Sequence, residues 1–454
     1  MSVSSRILSR RRFLYGALGT GGAAILAACG ATPTAAPTAA KPGPTTTAAA
    51  AEQPTAAQAS AGQVTLTHWV HPLGEDEEKF KGLMDRFHET NPDIQITLEI
   101  VPWEGRIERK MSAAAAGTSP DISYLNVDEF TTYVVEGALA PLDDYITTAD
   151  LDDLLPGPLN ATEWDGKRYE MPVLYAFRVA YYNRTIWKDV GLDPAWSPIT
   201  WTELDETLTT LKEAKESGKI QAWPMALEGL SGGGQILRNF NPWFYQSGGK
   251  LLKDDGTSGF DTEAGIEAMT WALHLFDTYV NPADIGSKGE EVRSRFGRAD
   301  TAYDHNNELS VITLTQDEYP ELDFWIGHAL ENKRRWTHGG VGCYGIWVAS
   351  KAKDAAWKWI YFLTGDGNLE FNQQFGFVPP RQSVFAEYKK AADDIHQAAL
   401  AEAQYGDIEK HPRLWDIWDV IDPAIQAVYS HAQTPEEAIK EAADKINKDI
   451  LEVA

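Results

Sequence analysis

Sixteen tryptophans, 17 tyrosines and 16 phenylalanines stand out in this chain of 454 residues. Most must pack a core, because aromatic side chains dominate core burial. So many tryptophans still leave several for a cleft, and flat rings suit the flat, hydroxyl-bearing faces of a pyranose. A sugar site needs such rings, carboxylates and amides that pair with hydroxyls, and few polar groups left unpaired when water leaves. Open α/β sheets place ligands at loops after strands, which directs attention to Trp69 and His71 after the first strand. His68 and His71 supply two possible metal ligands, but no third is near in sequence, so no metal and no cofactor are expected. Trp243 lies in Asn241-Pro242-Trp243-Phe244-Tyr245, where ligand stacking and core packing are both open. Trp415 and Trp418 share a helix face at i, i+3; one packs the core, and Trp415 is the pocket candidate. Gly339-Gly340 lets a backbone approach a ligand closely, with Gly340 the candidate, and the phenol of Tyr344 suits a hydroxyl partner. Arg381, after Val378-Pro379-Pro380, either binds a polar ligand or ties down its own loop. Glu228 opens a glycine-rich loop that lacks the strand and lysine of a phosphate-binding P-loop. No serine elbow, metal-binding pentapeptide or cysteine–histidine nucleophile pattern is present.

The elements that must hold these residues follow from periodicity. Val64 to Trp69 reads as a strand, and Phe80, Leu83, Met84 and Phe87 mark a helix that Asn91-Pro92 stops. Alternation at Ile94, Ile96, Leu98 and Ile100 predicts a strand with one buried face. A helix from about Ile107 ends at Gly117, and Pro120 to Leu125 is a third strand. Strand, helix, strand, helix, strand is the order of a parallel α/β sheet. Thr200-Trp201-Thr202-Glu203 and Thr434-Pro435-Glu436-Glu437 read as capping boxes that open two later helices.

The N-terminus carries an address. Ser9-Arg10-Arg11-Arg12-Phe13-Leu14, an apolar run to Ala27 and Leu26-Ala27-Ala28-Cys29 resemble a twin-arginine export signal fused to a lipoprotein processing site. By that resemblance residues 1–28 are a signal peptide and Cys29 is lipidated, which places the protein on the outer face of the cell membrane. Residues 29–62, almost all Ala, Thr, Pro, Gly, Gln and Ser, cannot bury apolar surface and read as a disordered tether. Cys343 then has no mate, so no internal disulfide is possible. The formal charge of −26 argues against nucleic acid and polyanionic partners. A body of about 390 residues exceeds the usual single core, so two lobes are expected.

Several segments are similar to the family 1 extracellular solute-binding proteins, the lipoprotein receptors of bacterial ABC importers of sugars. They are Gly117-Thr118-Ser119-Pro120-Asp121-Ile122, Gly137-Ala138-Leu139 with Pro141-Leu142, and Gly166-Lys167-Arg168-Tyr169 to Pro172 with Tyr181-Tyr182-Asn183-Arg184. Gly191-Leu192, Thr200-Trp201-Thr202-Glu203-Leu204, Phe296-Gly297-Arg298-Ala299, Gly339-Gly340, Ser350-Lys351-Ala352-Lys353 with Ala355-Ala356-Trp357-Lys358, and Thr434 to Ala438 complete the set. Asp300 and Thr301 depart from the usual apolar pair. The resemblance implies a two-lobe, periplasmic-binding-protein-like α/β fold with three hinge crossings and a cleft between the lobes. It places lobe 1 at 63–174 and 330–366 and lobe 2 at 175–329 and 367–454. Asp128 matches a position that contacts sugar hydroxyls, or it caps the helix that follows. Tyr175 and Phe177 lie in the first hinge strand, facing either the cleft or the core. Tyr303 to Asn307 stands where relatives carry a cleft aromatic; here it is polar, which makes Asp304 and Asn306 hydrogen-bonding candidates.

The implied function is capture of a sugar or oligosaccharide by lobe closure and its delivery, unaltered, to permease subunits, by a monomer held to the membrane through lipid. Two alternatives remain open at this level. One is an exported glycoside hydrolase, whose paired carboxylates also sit in aromatic clefts. The other keeps the fold and changes the ligand to a polyamine or peptide.

Overall fold

The computed structural model describes residues 63–73, 76–227, 235–284 and 289–452. Strand β1 (Val64–Val70) is followed by helix α1 (Asp76–Thr90), β2 (Ile94–Ile100), α2 (Arg106–Ala116) and β3 (Ile122–Asn126). β1 pairs in parallel with both β2 and β3, as the strand–helix–strand–helix–strand order predicts. Gly117 closes α2 in the left-handed region at φ 70°, where a side chain would be strained. A small hairpin of β4 (Glu163–Trp164) and β5 (Lys167–Arg168) leads into β6 (Glu170–Asn183).

β6 organises the rest. It is 14 residues long, about 45 Å of extended chain. Glu170 to Phe177 pair with β10 (Thr337–Ile346), which also runs antiparallel to β3. Arg178 to Asn183 pair instead with β8 (Thr301–Glu308) and β9 (Phe324–Gly327). β7 (Trp223–Ala226) joins β8 in parallel, and the short β11 (Gly406–Asp407) joins β10. The sheet order is β2-β1-β3-β10-β6-β8-β7. One end of β6 thus belongs to a half built on β1–β3 and the other to a half built on β7–β9.

Each half has its own core. Leu66, Phe80, Leu83, Trp359 and Phe371 pack the first. Trp187, Leu204, Phe244, Trp418 and Ile439 pack the second. A third cluster, with Leu125, Tyr133 and Trp347 from one side and Leu309, Ile312 and Ile395 from the other, seals the seam. The chain changes halves later than the expected lobe limits. Residues 330–336 stay with the second half, where Glu331 N donates to Ile199 O and Lys333 N to Gln246 O. Phe371 and Phe375 stay in the first core, so that half extends past residue 366. The two capping boxes form at Thr200 and Thr434 as their spacing predicts. Among the described residues, no helix is long and apolar enough to cross a membrane.

Glu170 begins β6 fully buried near Cys343, with no hydrogen-bond partner among the described residues for either carboxyl oxygen. Burial pushes its carboxyl well above 4.5. A raised carboxyl favours the fold fully below about pH 4.5, and that contribution is lost as pH rises through the raised value. Glu170→Gln is therefore expected to melt increasingly above the natural protein as pH climbs from about 5 to about 9. Parallel melting curves across that range would show that Glu170 carries no such load.

Candidate ligand-binding cleft

A cleft of about 1160 Å³ lies between the two halves. Leu174, Ala176 and Arg178 of β6 line its base, with Gly340 and Gly342 of β10 beside them. Gly342 has a packing reason: a Cβ there would stand 2.1 Å from the Tyr124 hydroxyl oxygen.

The first-half wall is Trp103, three residues past β2. Its ring stacks on His71, with centroids 4.3 Å apart and planes 25° from parallel. Its Nε1 donates to Pro72 O at 3.1 Å. His71 is buried one layer behind and donates from Nδ1 to Val101 O at 2.7 Å. Burial lowers its pKa to about 4, so it backs Trp103 as a neutral ring.

Beneath this wall lies a buried charge cluster. Lys110 Nζ donates to Glu129 Oε1 at 2.7 Å and to Tyr124 O at 2.9 Å. Arg106 Nε donates to Glu129 Oε2 at 2.8 Å, and Asn126 N donates to Oε1 at 3.2 Å. Burial alone would raise the Glu129 carboxyl, yet Lys110 and Arg106 outweigh it and hold the group at about 2. Lys110 itself is pulled below its usual range, first by burial and also by repulsion from Arg106, with which it shares one carboxylate. The cluster ties the start of α2 to the end of β3, the segments that carry Arg106 and Asp128. Asp128 lines the cleft and is not the cap of the next helix, whose N-cap is Glu129.

The opposite wall is the helix Leu414–Tyr429, from which Trp415, Asp416 and Asp419 line the cleft. The halves touch here: the Arg106 guanidinium carbon lies 4.8 Å from the Trp415 ring centroid and 5.4 Å from that of Trp103. Thr132 Oγ1 also donates to Pro412 O at 2.9 Å. Among the described residues, six carboxylates and three guanidiniums line the cleft. All three guanidiniums are paired, Arg106 with Glu129, Arg178 with Glu308 and Arg413 with Asp416.

A two-half α/β body with a lined cleft between the halves is the arrangement of a protein that holds a solute. A family model described as bacterial extracellular solute-binding protein matches residues 72–370. The chain belongs to that family. A Brucella abortus binding protein is 26% identical over 406 residues, 86% of this chain and 94% of that one. The sn-glycerol-3-phosphate-binding periplasmic protein of Yersinia pestis is 22% identical over 411 residues, 82% and 89% of the two chains. A Listeria monocytogenes ABC substrate-binding protein, solved in complex with cycloalternan, has the same fold at a TM-score of 0.73 and 22% identity, covering 85% of this chain and 98% of that one.

In this solute-binding protein, three of the sequence candidates line the cleft: Asp128, Gly340 and Trp415. Tyr175 and Phe177 are corrected to the core, because β6 turns the opposite face, Leu174, Ala176 and Arg178, to the cleft. Tyr175 instead donates to Ala403 O and Gly406 O, both at 2.9 Å. Trp69 is 8% exposed and donates from Nε1 to Glu99, beneath Arg109. Tyr344 is buried against His68 and Tyr124. Trp243 is 1% exposed between Trp201, Trp271 and His305. Asp304 pairs across from Tyr181, well along β8 from the cleft, and Asn306 stands behind Arg178, accepting its Nη1 at 2.9 Å. Arg381 ties its own loop through Asp150 at 3.0 Å. Glu228 and Cys29 lie outside the described residues. Trp103, Arg106, Arg178 and Glu308 were missed. Trp103 was within reach of the loop-after-strand rule, applied to β2 as well as to β1.

Proposed function

We propose that this solute-binding protein captures a neutral saccharide of more than one ring and hands it, chemically unchanged, to the membrane subunits of an ABC importer. The observation that carries this reading is a cleft walled by Trp103 and Trp415 and lined by more carboxylates than guanidiniums. Each stacked ring that buries about 100 Å² contributes roughly 2.5 kcal/mol. A space of 1160 Å³ is larger than the roughly 300–1,000 Å³ that encloses a drug-sized ligand, which suits more than one sugar ring. The acid excess disfavours a phosphate such as that bound by the Yersinia relative, since its charge would meet a lining with more carboxylates than guanidiniums. The cycloalternan complex of the Listeria protein supports an oligosaccharide on this fold.

The same reading makes the protein a non-enzyme that works by closing on its ligand, and a lipoprotein. Its leader is residues 1–28, its acyl anchor is Cys29, and its tether ends near residue 62. Expression in a bacterial host with labelled palmitate tests the anchor: label should enter the natural chain and be absent from Cys29→Ser.

Titration of the natural protein with maltotriose, mannotriose and glycerol-3-phosphate, followed by calorimetry and by chromatography of the mixture, tests the rest. A saccharide should bind and be recovered intact. Trp103→Ala should weaken it by about 2 kcal/mol, roughly 30-fold in Kd, while the protein stays folded. Hydrolysis products would replace binding with catalysis as the function. Binding of the phosphate alone would overturn the saccharide.

A further inference from the structure

Two hydrogen-bond donors on opposite walls of the cleft are buried with nothing to donate to. Arg106 Nη2 has no partner, and neither has Trp415 Nε1. Both residues line the cleft, one from each half, and the guanidinium carbon lies 4.8 Å from the Trp415 ring centroid. A buried donor left unmade is costly, so a pair retained at one place calls for an acceptor. The remainder of Arg106 is already committed. Its Nε is held by Glu129 and its Nη1 donates to Trp103 O at 3.3 Å. Glu129 is in turn fixed by Lys110 and by Asn126 N. The guanidinium is thus oriented by two of its neighbours, Glu129 and Trp103, and leaves one N–H pair in reserve.

We propose that Arg106 Nη2 and Trp415 Nε1 form a split donor subsite that takes a neutral acceptor oxygen of the saccharide, with one donor supplied by each half. This rests on the saccharide reading of the cleft and adds to it which residues read the ligand's oxygens. The oxygen is neutral because Glu129 and Asp128 together oppose the charges of Arg106 and Lys110, and because carboxylates outnumber guanidiniums along the walls. Donors from both halves on one oxygen complete their bonds only when the halves stand as close as they do here. The subsite therefore couples recognition of that oxygen to the closed arrangement. Arg106 and Glu129 have separate tasks: Arg106 touches the ligand, and Glu129 with Lys110 positions it.

Two conservative variants separate the donors from the scaffold. Arg106→Lys keeps the charge that pairs with Glu129 and removes Nη2. Trp415→Phe keeps an aromatic face and removes Nε1. The probes are maltotriose and mannotriose by calorimetry, with glycerol-3-phosphate as the anionic arm and melting curves as the fold control. For whichever trisaccharide binds the natural protein, Arg106→Lys is expected to weaken binding at least tenfold and Trp415→Phe about threefold or more, with melting curves little changed. If both variants bind as tightly as the natural protein while Trp103→Ala weakens binding, the split subsite is wrong and the saccharide reading stands. If neither trisaccharide binds, both fall. If glycerol-3-phosphate binds and Arg106→Lys abolishes it, the donors are real but the neutral-oxygen assignment is overturned.

Discussion

Glu129→Ala is expected to destabilise the fold by about 3–5 kcal/mol, the range for stripping one partner from a buried ion pair. Glu129 is fully buried and Lys110 is 1% exposed. Without the Glu129 carboxylate, the ammonium keeps only Tyr124 O as a hydrogen-bond partner and faces Arg106 with Asp128 as the remaining nearby negative charge. Lys110 then sheds its proton or draws in water, and either outcome loosens the end of β3. The folded-state pKa of Glu129 is depressed to about 2, so its contribution is present above about pH 4.5 and lost as pH falls through about 2. Chemical denaturation of the natural protein and of Glu129→Ala should therefore differ most near neutrality and converge in acid. The paired variant Glu129→Leu with Lys110→Met should recover much of the loss, since apolar replacement of a whole buried pair is often neutral. Recovery of stability without recovery of saccharide binding would separate the two duties of the cluster. If Glu129→Ala unfolds at the natural midpoint, the cluster carries no stability.

Trp243→Ala is expected to cost about 3–5 kcal/mol as well, through a cavity rather than a charge. Trp243 stacks on His305 with centroids 4.8 Å apart, and Trp201 and Trp271 meet it edge-on. Trp201 donates to Gln246, which donates on to Trp336 O, so collapse of the site would disturb a buried polar chain. The denaturation midpoint should fall while the folded protein keeps its ligand affinity. Loss of affinity without loss of stability would return Trp243 to the cleft.

The architecture was legible in the sequence because it rests on strong local signals. Alternation in β2, the glycine that ends α2 and the two capping boxes each have a short-range physical cause, and each formed where its residues stand. The site was legible only in part. Tyr175 and Phe177 were one residue out of phase: alternation shows that β6 has two faces, but not which one meets the cleft. Trp243 and Trp415 look alike as aromatic residues in helices, and only packing separates the buried ring from the cleft ring. Arg106 and Glu129 left no short-range trace, because their meaning comes from a 23-residue separation closed by the turn of α2 against β3. Arg381 shows the reverse: a charge after a proline pair is open to a ligand contact or a loop tie, and the acceptor that makes it a tie, Asp150, lies 231 residues away.

β6 is one uninterrupted ribbon whose first eight residues serve one half and whose last six serve the other. Any rocking of the halves must therefore be taken up as torsion of a beam, spread over several peptide units, rather than as a swing about a loose joint. The pairing slips between Val179 and Tyr181, next to Arg178 at the cleft base, and this is where such a beam would yield first. Amide protons on either side of that slip should exchange slowly with and without saccharide, and those at the slip should record the change in load.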